Sequence, residues 1–161
     1  LTDLLDEIPV DAARYFFNSR PESPVEFDLE LAIRQDSENP VYYVQYAHAR
    51  ICSMLAALAA DGHSVPAAAD ADLSLLDTDA ERELIKQLAA LPEEIRLAAR
   101  DYDPSRINKY VTELAAPIDP RGKRALKPIL PDRAPNAQHR FLRRVLAVAL
   151  GIIGVSAPEK M

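Results

Sequence analysis

The stretch Asn39–Ser53, NPVYYVQYAHARICS, decides the fold. Asn39 can accept hydrogen bonds from the unpaired amides of a first helical turn, and Pro40 at the first helical position forfeits no bond it could have made. With the start fixed, a 3.6-residue period places Val41, Val44, His48, Ile51, Cys52, Leu55 and Leu58 on one stripe, wide enough to face a core. Tyr43, Ala47, Arg50 and Met54 form a second stripe, and Tyr42, Tyr46, Ala49 and Ser53 a third. A surface helix of a small domain ordinarily carries Lys and Glu outward. These outer faces carry tyrosines, small residues and one arginine, so they read as contact surface.

Composition sets the bounds around this helix. A chain of 161 residues, 48% of them hydrophobic, supports one domain with a real core. Four glycines, many alanines and no tryptophan favour helices over a sheet. No apolar run approaches the length that spans a bilayer, and the amino terminus lacks a basic region followed by an apolar one, so a cytoplasmic protein without a membrane partner is expected. The single cysteine, Cys52, cannot form an internal disulfide and reads as a small core residue. A formal charge of −6 argues against generic nucleic-acid binding, DNA included, because phosphate affinity comes largely from Lys and Arg. The acidic residues, however, gather in 3–7, 22–36 and 70–83, whereas 121–144 is strongly basic.

Along the chain, Thr2 can cap a short helix with Leu4, Leu5 and Ile8 apolar, and Asp11 a second one reaching Arg20. In that second helix Arg14 reads as one half of a structural ion pair and Tyr15 as packing. Pro21 and Pro24 break it before helical spacing resumes over 29–35. Beyond Ala60 a broken polar stretch to about Asp72 reads as a surface loop. Thr78 with Glu81 forms a capping box for a helix to Leu91, with Leu84, Ile85 and Leu88 inward, and Pro92 is expected to begin another. Asp103-Pro104 opens the next, with Ile107, Tyr110, Val111 and Leu114 inward. Five prolines between 117 and 135 preclude a continuous helix there. Asn136 can cap a last helix burying Phe141, Leu142, Val145, Leu146, Ala149, Ile152 and Ile153 and ending at Gly154, with residues 155–161 on the surface.

Asp11-Ala-Ala-Arg14-Tyr-Phe, then SPVEFDLELA, then NPVYYVQYAHARI, and GVSAPEKM at the end, together resemble the DALR-type anticodon-binding domain of bacterial arginyl-tRNA synthetase, over roughly 1–116 and 150–161. The resemblance implies an all-α bundle of the class I synthetase type. Residues 1–10 would follow directly on a catalytic domain absent from this chain, and 11–161 would form the anticodon-binding domain. In that family the helix from Pro104 runs on through an aromatic continuation. Residues 117–135 either replace it with an atypical proline-rich basic loop or mark a local shift of reading frame. For the whole enzyme the resemblance implies attachment of arginine to tRNA(Arg) with ATP and Mg2+, the catalytic domain acting in cis.

No catalytic constellation is present in the sequence. His48, His63 and His139 lack metal-ligand spacing, and neither a phosphate-binding loop nor a nucleophile motif occurs, so this stretch by itself is expected to be inactive and to hold no metal or cofactor. His48, on the apolar stripe, reads as a hydrogen-bonded core histidine. RNA recognition, in contrast, needs only planes on which unpaired bases stack and donors that read their edges. Tyr43 supplies a plane, Ala47 one turn on leaves room for a base to approach, and Arg50 can meet a phosphate or base edge. The resemblance carries base contacts onto Tyr43, Ala47 and Met161. Lys109, Arg140, Arg143 and Arg144 are candidate phosphate contacts or simply a solvated face, and Tyr42 and Tyr46 read as packing. Two alternatives stand beside this reading: the equivalent domain of another class I synthetase such as the cysteine enzyme, and a helical protein-interaction module docking through its aromatic faces.

Overall fold

In the computed structural model the described residues are 2–22, 27–63, 70, 72, 74, 76, 78–118 and 135–161, with 135–137 described for backbone only. Among these residues seven α-helices follow one another: α1 (Thr2–Glu7), α2 (Val10–Ser19), α3 (Leu29–Ile33), α4 (Pro40–Ala60), α5 (Asp79–Asp101), α6 (Ser105–Ala115) with a 3-10 turn over Ala116–Ile118, and α7 (Pro135–Ile152). No strand occurs among the described residues. The expected surface loop after Ala60 falls largely, and the basic segment 119–134 entirely, outside them.

The ends of α4 follow from local chemistry. The Asn39 side chain accepts from the Val41 amide at 3.2 Å, and its amide group donates to the Ala32 and Arg34 carbonyls at 3.2 and 2.8 Å, which ties α3 to the start of α4. At the far end Gly62, at φ 81°, lets its own amide reach the Ala59 carbonyl and that of His63 reach Leu58, so the last turn is closed from behind. The Thr78–Glu81 capping box forms reciprocally at the start of α5. Asp103 accepts from the Ser105 amide at 3.0 Å and opens α6.

Pro92 does not begin a new helix: it lies inside α5, which runs unbroken for 23 residues. Proline removes one amide from the ladder and crowds the preceding turn, but Leu84 and Leu88 before it and Leu91 beside it are all buried, and that packing holds both halves in register. Helix α5 ends at Tyr102, a non-glycine residue at φ 54° with 90% of its surface exposed.

The core lies where α4, α5, α6 and α7 meet. Val44, Ile51, Leu84, Ile107, Val111, Leu114, Leu142, Leu146 and Leu150 are fully buried there, each contributing roughly 1.5–3 kcal/mol of transfer free energy. Helix α2 joins through Tyr15, whose hydroxyl pairs with Thr112 Oγ1 at 2.7 Å while Asn108 donates to its backbone carbonyl at 2.9 Å. Three expected core residues, Ile85, Phe141 and Ile152, are exposed instead. Each sits at the margin of its helix's apolar stripe, where neighbouring helices do not reach. Asp11 lies within the first turn of α2, which begins one residue earlier after Pro9.

Candidate nucleic-acid interface

The four faces of α4 are occupied differently. Passing round the helix from the core stripe, one edge carries His48 and Gln45, both engaged with the carboxyl-terminal tail. His48 Nδ1 donates to the Pro158 carbonyl at 2.8 Å, and Gln45 donates to the Ser156 carbonyl at 3.1 Å. The next face carries Tyr42 and Tyr46, whose rings stack nearly parallel, 11° apart with centroids at 6.2 Å. Tyr46 keeps 43% of its surface exposed. Then come Arg50 and Tyr43, both half-buried, with Tyr43 packed on the edge of the core. Ala47 and the core stripe close the circle.

Ala47 is a correction to the sequence reading. It is 3% exposed and belongs to the core cluster, so the open space expected above it is filled. An alanine on a helix fits a close neighbour as readily as a bound base, and here the neighbours are protein. Arg14 is a second correction: the ion pair expected of it is absent among the described residues, and its guanidinium donates to the Gly154 carbonyl at 2.7 Å. The tail is a third. Val155 is buried rather than superficial, and the chain from Gly154 to Pro158 runs along α2 and α4.

Met161 is 54% exposed. Three residues beyond the carbonyl held by His48, its reach is limited to about 10 Å from that anchor. The tail leading to it is held on the His48 edge of α4 as far as Pro158. The sequence reading grouped Tyr43, Ala47 and Met161 and took Tyr46 as packing; the structure leaves Tyr46 43% exposed and stacked on Tyr42. The signal for it was present, since two tyrosines four residues apart on a helix meet face to face. Of the candidate phosphate contacts, Lys109 is paired with Glu113 on the next turn at 3.9 Å. Arg140 and Arg144 are exposed and Arg143 half-buried on α7, with no acidic partner among the described residues. His48 is buried and hydrogen-bonded as expected.

Among the described residues no group of three His, Cys, Asp or Glu side chains is placed to hold a metal ion. No described helix is long and apolar enough to cross a membrane. Two buried phenols titrate unusually. Burial pushes Tyr15 up, partly offset by its bonds to Thr112 and Asn108, and burial with the nearby Glu94 charge pushes Tyr110 up to about 12. Both sit between helices and serve packing.

The sequence profile of the DALR anticodon binding domain family matches residues 44–161, well over half of the chain. The chain belongs to that family. This DALR domain is 47% identical over its whole length to an arginine-tRNA ligase of Symbiobacterium thermophilum, and 46% identical to one of Caldanaerobacter subterraneus. It spans 30% and 29% of those relatives. The fold superposes with a TM-score of 0.85 on a Campylobacter jejuni structure described as an arginyl-tRNA synthetase, at 28% identity, over 99% of this chain and 35% of that one. On the Thermus thermophilus arginyl-tRNA synthetase the TM-score is 0.74 at 28% identity, over 94% of this chain and 26% of that one. Both alignments extend over the full length of this chain.

Proposed function

We propose that this DALR domain reads the anticodon loop of tRNA(Arg) for an arginine-tRNA ligase, using the outer surface of α4 and the tail beside it. The observation that carries the reading is the uncharged aromatic face of α4: the Tyr42–Tyr46 stack, flanked by Tyr43 and Arg50 on one side and by the tail anchored at Ser156 and Pro158 on the other. Unpaired anticodon bases need flat apolar surfaces and a few donors, and this face offers both. Tyr43 and Tyr46 stack bases, Arg50 meets a phosphate or base edge, and Met161 closes the far side. Ala47 lies beneath as part of the floor. Arg140, Arg143 and Arg144 supply phosphate contacts, with Lys109 available once it leaves Glu113.

In the whole enzyme, arginine is attached to tRNA(Arg) in the cytoplasm with ATP and Mg2+, and residues 1–10 join this domain to the catalytic one. Among the described residues no group of three His, Cys, Asp or Glu side chains is placed to hold a metal ion, and no step of that reaction is assigned to them. The domain contributes geometry: by gripping the anticodon loop it presents the acceptor end to a distant active site.

The test is titration of the chain with an arginine anticodon stem-loop and with one altered at the middle anticodon base, at two salt concentrations. Anticodon reading requires weaker binding to the altered loop and a steep loss of affinity with salt. Equal affinity for the two loops defeats it, and binding that ignores salt points to protein docking instead.

A further inference from the structure

We propose that Asp11 and Arg14 are positioning residues for anticodon reading: together with Gln45 they fix the tail against α2 and α4 and so set where Met161 stands. The proposal rests on the anticodon-reading function above.

Asp11 and Arg14 lie three residues apart on one face of α2. A carboxylate and a guanidinium so spaced ordinarily pair with each other or face solvent, at little gain. Here each engages the tail. Asp11 Oδ2 accepts from the Ser156 amide at 3.2 Å, from the Ser156 hydroxyl, and from Gln45 Nε2 at 2.8 Å. Arg14 donates to the Gly154 carbonyl, and Asn18 one turn on donates to the Ile153 carbonyl at 3.1 Å. Hydrogen bonds to an ionised group are about twice as strong as neutral ones, and several converging on one oxygen specify register as well as affinity.

Gly154 shows how closely the clamp is built. It sits at φ 73°, and a Cβ placed there would come 3.3 Å from Arg14 Cδ. A side chain there would strain the backbone and crowd the Arg14 stem by a few tenths of an ångström. A tail slipped by one residue would withdraw Ser156 from Asp11 and Pro158 from His48, and would shift the attachment of the last three residues by about 3 Å. Asp11 and Arg14 touch no base themselves. They lie outside the residues matched by the family profile, which begins at 44.

The experiment is a thermodynamic cycle in the full chain: Asp11→Ala and Arg14→Ala, each with and without deletion of residues 159–161, titrated with the cognate and middle-base-altered stem-loops. Each substitution should weaken cognate binding about tenfold and shrink the preference over the altered loop. Deletion of 159–161 should do the same, and either substitution added to the deletion should cost less than about twofold more, since both act through one element. Hydrogen exchange at the Ser156 amide should rise in Asp11→Ala while the helical melting transition persists. If Asp11→Ala unfolds the domain, Ser156→Ala, which removes a single hydroxyl, should give a smaller loss of the same kind. Full additivity with the deletion overturns the proposal, as does unchanged loop preference while the Ser156 amide exchanges freely. An unsubstituted chain that binds both loops equally defeats anticodon reading itself, whereas discrimination that survives every substitution defeats only the positioning role.

Discussion

Replacing Asn39 tests whether the entry to α4 is held as the structure indicates. Its side chain is 2% exposed and makes three bonds: one accepted from the Val41 amide and two donated to the carbonyls of Ala32 and Arg34. Loss of a cap costs about 1 kcal/mol, and each carbonyl left without a donor adds roughly 1 kcal/mol. Asn39→Ala should therefore destabilise the domain by about 2–4 kcal/mol, a large part of a stability that is ordinarily about 5–15 kcal/mol. Asn39→Asp is the sharper probe. It keeps the acceptor for Val41 but replaces the donating amide by an oxygen facing two carbonyls. The buried carboxylate should have a folded-state pKa above its unfolded value of about 3.9. The penalty is then full above the folded pKa and shrinks as pH falls through it and the carboxyl gains a proton it can donate. Relative to the parent chain, Asn39→Asp should thus be worse than Asn39→Ser at neutral pH and should recover on acidification towards about pH 4, while Asn39→Ser stays level. Urea denaturation followed by helical circular dichroism across that range decides it. An Asn39→Asp chain as stable as Asn39→Ser at neutral pH, or one whose deficit does not change with pH, would refute the assigned bonds.

Tyr46→Ala should weaken binding of the cognate stem-loop by about 1–3 kcal/mol while lowering stability by only about 1 kcal/mol, because the residue is 43% exposed and lies outside the core cluster; loss of helicity would return Tyr46 to a packing role. Tyr110 bonds the Gln87 carbonyl and is pushed up to about 12, so its neutral form contributes stability in full below the ordinary phenol value and loses it as pH rises from about 10 towards 12. Tyr110→Phe should flatten the alkaline denaturation profile in that window, and an unchanged profile counts against the buried placement of the phenol. Ile51→Ala, at a fully buried position of α4, should cost about 2–5 kcal/mol in a urea titration; a cost below about 1 kcal/mol would mean that α4 is not central to the core.

What the sequence disclosed was local. The Asn39-Pro40 start of α4, the Thr78–Glu81 box and the glycine after α7 each depend on residues within one turn of one another, and all three form. Pro92 misled because the rule that proline ends a helix is also local, whereas the burial of Leu84, Leu88 and Leu91 that overrides it is tertiary. Ala47 could not be placed from its type: alanine tolerates both a buried and a contacted face, and only the packing of neighbouring helices decides. Phe141 was misplaced because its position at the stripe's edge depends on how far the next helix extends. The family likeness singled out α4 and the tail, and the structure holds the two together through His48 and Gln45. It did not show that the tail as far as Pro158 runs along the His48 edge, a placement fixed by contacts between residues more than a hundred positions apart.

The bonds from α2 to the tail also bear on the order in which the domain can be made. Arg14 and Asp11 find their partners 140 and 145 residues further along. During synthesis the first helices leave the ribosome long before Gly154 and Ser156 exist. Until those residues arrive, the carboxylate and guanidinium of α2 must stay hydrated, and α2 has only part of its final support. Within this domain an early helix is thus secured by late residues, an arrangement expected to delay its folding until nearly all of the domain has been translated.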